Sequence, residues 1–449
     1  MGIAVANAKN KDTGLTLYDV VGIDLPNKEG IKKITDINNG EFPISCNDKE
    51  LEKAYKNSIN NGNFSASVNP DEFKDADIVI VDINLDVSIN GKFSEVEFSN
   101  FKKAIETISL RIKKDTLVIV ETTVPPGTTE KIILPILQEN FSKRFGKSSQ
   151  PLLAHSYERV MPGPEYLSSI INYWRVYAGV NPKSSKLSKD FLSTIINIEE
   201  YPLTELSSTN ASELSKVLEN SYRATNIAFV DEWGKFAEKI GVNIFEVINA
   251  IKIRPTHSNI CKPGLGVGGY CLTKDPLMGF VSSNQLFKNN NTNFPLSGMA
   301  VEINSKMPKH TFNKVKDNLK NLNNFSKVLI LGMSYRDQVG DLRYSASIEL
   351  AKMFTRKNIS VFSHDPMIKD ELPREFNFLR DLPDASDFDA IIFAVAHNFY
   401  KELNLKKWLL GYRGFILDSN NILSDDQINV LKKLKIFFKI VGRGDIWKF

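Results

Sequence analysis

Cysteine is scarce in this chain: 449 residues contain three, Cys46, Cys261 and Cys271, an odd number with no CxxC pair. That excludes a disulfide framework and a paired-cysteine zinc site, so no metal is expected, and a reducing cytoplasm is the expected compartment. Long apolar runs are lacking as well. None approaches the roughly 18 residues needed to cross a bilayer, and the opening MGIAVANAKNKD has neither the basic flank nor the long apolar core of a signal peptide. No membrane partner is expected. An excess of one charge is also missing, since 57 basic residues face 53 acidic ones for a formal +4. Nucleic acid is therefore not expected as a partner, and the basic run Lys432–Lys439 reads as a solvated face.

What is present is ordinary globular composition, 42% hydrophobic and 24% charged, over a length that calls for two or three domains. Short apolar runs recur with helical stretches between them: YDVVGID (18–24), ADIVIVDI (76–83), DTLVIVETT (115–123), KVLILGM (327–333) and DAIIFAVA (389–396). Continuous rather than alternating apolarity predicts strands buried on both faces, hence parallel sheets covered by helices. Two α/β blocks follow. Between them the segment from Ser207 to Gly241 has apolar residues at helical spacing after a Ser/Thr/Asn-rich start, and reads as a long connecting, dimer-forming helix. SSNQLFKNNNTNF (282–294) reads as a polar, mobile loop.

Several residues carry chemistry. Asp24 ends YDVVGID, where an acid after a second strand can accept hydrogen bonds from an adenosine ribose and so favours NAD over NADP; a loop acid or helix cap would read the same way. The companion GxGxxG is absent, and Gly2 can be only its last glycine, 22 residues before Asp24. The segment ETTVPPGTTEKI (121–132) is a strand-to-helix turn with its helix beginning near Thr128, at the sheet edge where ligands bind. In PGLGVGGYCLTKDP (263–276), Gly264, Gly266, Gly268 and Gly269 permit close backbone approach to a ligand and deliver Cys271 to a helix start. There the helix amides would favour a thiolate, making Cys271 a candidate nucleophile with Lys274 and Asp275 beside it. On the long helix Lys216 and Asn220 share a face, and a cation with an amide can hold an oxyanion, although Lys216 alone would pass for a solvated lysine.

Taken together, VVGID, ETTVPPGTTE, SYERVMPG (156–163), SELSKVLENSYRATNIAF, PGLGVGGYCLTKDP, GMSYRDQVGDLRYSAS (332–347) and the later DP and DSNN elements resemble the UDP-glucose/GDP-mannose dehydrogenase family, in order along nearly the whole chain. The resemblance implies two Rossmann-like doubly wound domains joined by a central long-helix element: an NAD-binding domain over 1–200, a central helical dimerisation and catalytic domain over 201–305, and a nucleotide-sugar-binding domain over 306–449. It implies a homodimer or higher homo-oligomer. It also implies NAD-dependent four-electron oxidation of a nucleotide-sugar C6 alcohol to the acid, through a thioester on Cys271. By the same resemblance Lys216 and Asn220 are expected as its oxyanion stabilisers, Asp275 as its acid/base, and Thr123 and Glu158 as its assistants. Toward the substrate the resemblance places Glu158, Arg159, Lys216, Asn220, Arg254, Lys262, Gly268 and Arg336; toward the cofactor, Gly2, Asp24, Thr123, Lys274 and Arg343.

Two departures shape the expectation. Pro162 stands where the UDP-glucose branch usually has a second glutamate, and the ERVMPG form resembles branches acting on UDP-N-acetylhexosamines. Asp82-Ile83-Asn84 replaces the more usual proline-threonine-proline turn. A catalytically inactive nucleotide-sugar-binding homologue, or UDP-glucose or GDP-mannose as substrate, is the alternative; a single-step hydroxy-acid dehydrogenase would lack the cysteine loop and the second α/β block. The N-terminal domain is expected to lack its first strand, which would lie upstream of Met1-Gly2-Ile3-Ala4-Val5-Ala6 and weaken cofactor binding by its loss.

Overall fold

The computed structural model describes residues 1–42, 47–90, 93–289, 292–319, 326–368 and 374–447; Cys46 lies outside them. The chain divides into two compact units, Met1–Glu219 with Leu277–Phe294, and Asn220–Pro276 with Pro295–Phe449.

In the first unit the strands are β1 (Val20–Ile23), β2 (Phe64–Ser67), β3 (Ile78–Val81), β4 (Val87–Asn90), β5 (Phe93–Val96), β6 (Leu117–Val120), β7 (Leu152–His155), β8 (Val176–Gly179) and β9 (Thr204–Glu205). The apolar run LVIV makes β6 for a simple reason: its side chains point alternately to two faces, and both faces are covered. Val118 and Val120 pack with Phe101, Ile105 and Phe141 on one side, while Leu117 and Ile119 meet Leu192, Ile195 and Ile196 on the other. Each such side chain contributes about 1.5–3 kcal/mol when fully buried. The main sheet runs β3-β6-β7-β8-β9, parallel except for β7 with β8, and β4 and β5 form a separate antiparallel hairpin.

Among the described residues β1 and β2 pair only with each other. The buried strand expected for YDVVGID is accordingly half-covered, with Val21 42% exposed.

The second unit holds β10 (Lys327–Leu331), β11 (Ser360–His364), β12 (Phe378–Leu379), β13 (Ala390–Phe393), β14 (Phe415–Asp418) and β15 (Phe437–Ile440). They form one parallel sheet in the order β12-β11-β10-β13-β14-β15, the doubly wound arrangement whose direction of winding reverses between β10 and β13. Val328 and Ile330 face one core cluster, Leu329 and Leu331 the other. The DP and DSNN elements begin at the carboxyl ends of β11 and β14.

The long helix spans Thr209–Ile240. The Ser208 hydroxyl accepts the Ala211 N–H at 3.2 Å, and the helix stops at Gly241, whose φ of +76° only glycine adopts without strain. The expected polar loop over 282–294 is corrected in part: a short helix over Met278–Val281 continues as a π-helical turn over Ser282–Leu286. Its polar side chains are used inside the unit, Ser282 donating to the Pro126 carbonyl at 2.5 Å and Gln285 accepting the Val96 N–H at 3.0 Å. Asn290 and Asn291 lie outside the described residues. No helix among the described residues is long and apolar enough to cross a membrane.

Candidate active site

In the second unit the glycine-rich segment leads to Cys271, which is exposed. The Cys271 carbonyl accepts the N–H groups of Lys274 at 3.1 Å and Asp275 at 2.9 Å, closing a single helical turn. That turn is not a helix start, contrary to expectation. Pro276 has no N–H to extend it, a 3₁₀ turn follows over Asp275–Leu277, and α-helix begins only at Met278. Cys271 therefore owes nothing to a helix dipole.

The glycines let the backbone pack closely within this unit. A Cβ on Gly266 would meet Ala346 at 2.8 Å, one on Gly268 the Tyr344 carbonyl at 2.8 Å, and one on Gly269 the Tyr335 ring at 2.9 Å; on Gly264 it would run into Asn420. Their close approach is to the chain itself. Gly269 has a φ of +84° and donates its N–H to the Arg343 carbonyl at 3.1 Å, tying this segment to the one after β10.

Behind Cys271, Asp275 is fully buried and accepts from Asn220 Nδ2 at 2.7 Å and from Lys274 Nζ at 2.9 Å. The Lys274 ammonium, itself buried, lies 4.2 Å from the centroid of the Tyr270 ring, and the Arg343 guanidinium approaches the same ring at 5.8 Å. Asp341 holds the Arg343 guanidinium above its usual range, with Tyr335 and Cys271 adding to the effect. Lys274 and Arg343, assigned to the cofactor by resemblance, are thus held by Asp275 and Asp341. Arg254 and Lys262 are exposed, and Arg336 is half-buried with Asp337 at 3.9 Å. Among the described residues no cluster of His, Cys, Asp and Glu could hold a metal ion.

In the first unit Lys216 Nζ donates to the Glu158 carbonyl at 3.0 Å and stands 5.3 Å from the Tyr157 ring centroid. Burial pushes the Glu158 carboxyl up, against the opposing pull of Lys216, and the same carboxylate accepts the Val160 N–H. Arg159 is committed to Glu219, to the Trp174 carbonyl and to the Tyr157 hydroxyl. Thr123 is half-buried, next to Thr122, whose hydroxyl accepts the Ile83 N–H at 2.8 Å and so fixes the unusual Asp82-Ile83-Asn84 turn.

Two features of this unit escaped the sequence reading. Glu213 accepts the N–H groups of Gly127 at 2.6 Å and Thr129 at 2.8 Å, and burial pushes its carboxyl up to about 7. Its spacing from Lys216 and Asn220, three and seven residues, was a signal that it shares their helix face. Arg175 forms a buried ion pair with Glu121; the partners stand 54 positions apart, and no local pattern announces them.

The dinucleotide end fits in part. Asp24 Oδ1 accepts the Leu25 N–H at 2.7 Å and Lys33 Nζ is 3.6 Å from Oδ2, which leaves carboxylate lone pairs for ribose hydroxyls. Gly2 opens a short helix, Gly2–Ala6, and a Cβ there would sit 3.1 Å from the Phe64 ring, the close packing expected of the last glycine of such a loop.

An α/β unit with a ribose-type acid, a second α/β unit with a doubly wound parallel sheet, and an exposed thiol beside a buried carboxylate belong to the class of dinucleotide-dependent oxidoreductases. Comparison with known proteins makes this specific. Residues 13–196 match the NAD binding domain of the UDP-glucose/GDP-mannose dehydrogenase family, residues 210–306 its central domain and residues 329–425 its UDP binding domain. A UDP-N-acetyl-D-mannosamine dehydrogenase of Methanococcus vannielii is 31% identical over 436 residues, covering 95% of this chain and 92% of the relative. A UDP-glucose 6-dehydrogenase of Rickettsia prowazekii is 26% identical over 381 residues, 83% of each chain. The solved structure of a UDP-D-ManNAc dehydrogenase from Pyrococcus horikoshii superposes with a TM-score of 0.79 at 26% identity, over 99% of this chain and 96% of that one. The chain belongs to the UDP-glucose/GDP-mannose dehydrogenase family. It is an NAD-dependent nucleotide-sugar dehydrogenase.

Proposed function

We propose that the substrate is UDP-N-acetylmannosamine, oxidised at C6 to the acid through a thioester on Cys271. The carrying observation is the Asn220–Asp275–Lys274 cluster one turn behind an exposed Cys271. The relatives named as UDP-N-acetyl-D-mannosamine dehydrogenases and the ERVMPG segment support the sugar. NAD, with Asp24 on its ribose and Thr123 toward its reactive end, supplies the hydride acceptor when bound, two equivalents per sugar. Cys271 Sγ bonds to the C6 carbon of the aldehyde and carries it to the thioester, which water cleaves with return of the thiol. The Asn220 amide and the Lys216 ammonium stabilise the C6 oxygen while it is negative, and Asp275 takes and returns the proton of the attacking water. Thr123 and Glu158 assist. Arg159, Arg254, Lys262, Gly268 and Arg336 contact the nucleotide sugar, and Lys274 and Arg343 serve the cofactor side. We retain the three-part division at about residues 200 and 305 for these roles.

The partner is a second copy of the chain. Tyr222, Phe229, Trp233, Phe236 and Ile240 recur at heptad-like spacing on the long helix and are each just over half exposed, a continuous apolar stripe of the kind a partner surface covers. Sedimentation of Trp233→Glu should show a shift toward monomer; an unchanged distribution removes this stripe from the interface. For the substrate, purified protein is offered NAD with UDP-N-acetylmannosamine, UDP-N-acetylglucosamine, UDP-glucose and GDP-mannose. The highest kcat/KM is expected with the first, and a clear preference for another sugar overturns the assignment.

A further inference from the structure

We infer that His397 is a positioning residue for nucleotide-sugar binding: it holds the segment 332–345, and through that segment the glycine loop before Cys271, in the arrangement that receives the substrate. The inference rests on reading the second unit as the nucleotide-sugar site.

The segment leaves β10 at the point where the winding of the sheet reverses, the place where doubly wound sheets take their ligands. It is irregular, so its backbone groups need partners from elsewhere. Two side chains from the ends of neighbouring strands supply them, with Ser334 of the segment itself as a bridge. Asp365, just after β11, accepts the N–H groups of Met333 at 2.7 Å and Ser334 at 2.9 Å, and the Ser334 hydroxyl lies 3.0 Å from the same oxygen. His397, beyond β13, places Nε2 3.0 Å from that hydroxyl and 3.2 Å from Asp365, while Nδ1 receives the Gln338 N–H at 3.0 Å. All three side chains are buried.

The Gln338 contact assigns the tautomer. A backbone N–H can only donate, so Nδ1 carries no proton and the ring hydrogen sits on Nε2, where it donates to Ser334 Oγ or Asp365. One ring therefore ties two points of the segment, four residues apart, to the end of β13. Asn398 adds a third point, donating its N–H to the Gln338 amide oxygen at 3.0 Å. Between and beyond these points lie Tyr335, Arg336 and Arg343; Tyr335 walls Gly269, and the Arg343 carbonyl holds the Gly269 N–H. His397 itself is fully buried. It acts through the backbone it fixes.

The test uses the full chain with His397→Phe, which keeps a flat ring and removes both nitrogens, and His397→Asn, whose amide oxygen replaces Nδ1 as acceptor. Amide exchange at Gln338 should rise about tenfold in His397→Phe, as expected for one lost hydrogen bond of ordinary net strength, and return toward wild type in His397→Asn. With UDP-N-acetylmannosamine, His397→Phe should raise the KM for the sugar about tenfold while the KM for NAD stays within about twofold. Unchanged exchange in His397→Phe, or an equal rise in both KM values, overturns the inference. If the wild-type protein turns over no nucleotide sugar, the functional reading fails, and the exchange comparison still decides the positioning role. Should His397→Phe not fold, Ser334→Ala removes the bridging hydroxyl; it is expected to speed the same exchange, and protection equal to wild type overturns the inference.

Discussion

Replacing Asp275 by Asn tests whether the cluster behind Cys271 is held by charge. The substitution keeps the shape of the side chain and removes the negative partner of Lys274, a residue only 6% exposed. Stripping one member from a buried ion pair costs about 3–5 kcal/mol, because the remaining charge cannot reach water. Part of that is offset. The Tyr270 ring 4.2 Å from Lys274 Nζ is worth about 0.5–2 kcal/mol to a desolvated cation, and the Asn oxygen can still accept from it. A net loss of about 2–4 kcal/mol is expected, or roughly 4–16 °C in Tm for domains of this size. Adding Lys274→Met removes the stranded charge, so the double variant should recover at least half of the loss in thermal unfolding. Neither variant should regain acid formation. An Asp275→Asn protein as stable as wild type, or a double variant no better than the single one, would refute the claim that charge pairing holds this cluster.

Cys271→Ala should abolish acid formation with nucleotide-sugar affinity, measured by calorimetry, changed less than about twofold, since the thiol is assigned to covalent chemistry; Cys261→Ala should remain active. Each acid formed should be accompanied by about two NADH, read by absorbance against product quantified by chromatography, and a ratio near one with free aldehyde would contradict the thioester route. For Glu213, whose folded carboxyl is pushed up to about 7 by burial from an ordinary 4.5, the folded state binds the extra proton between those values. Stability should therefore fall as pH rises from about 4.5 through 7, by at most about 3 kcal/mol, and Glu213→Gln should flatten that slope. Parallel Tm–pH curves for the two proteins would show that Glu213 does not titrate in this range.

The sheets were legible because their strands are continuous apolar runs, as LVIV of β6 and KVLIL of β10 show, and continuity of that kind needs cover on both faces. The hairpin of β4 and β5 was not, because VSIN and FSEV are too short and too polar to announce strands. Cys271, Asn220, Lys274 and Asp275 could be picked out from spacing and resemblance, but spacing could not show that Pro276 would stop the helix from starting at Cys271. The Asp365–Ser334–His397 ties were hidden for a different reason: their members stand 31 to 63 positions apart, and only the parallel sheet brings the ends of β10, β11 and β13 side by side.

The route of the chain to Cys271 is set by the fit of bare glycine backbone against Asn420, Ala346, Tyr344 and Tyr335. Contacts made by shape carry no charge and bind no proton, so salt and pH leave them alone, whereas the ion pairs around them answer to both. The thiol is thus mounted on the part of its surroundings least sensitive to the medium. Changes in ionic strength or acidity should alter how strongly neighbouring groups act on Cys271 while leaving where it stands unchanged.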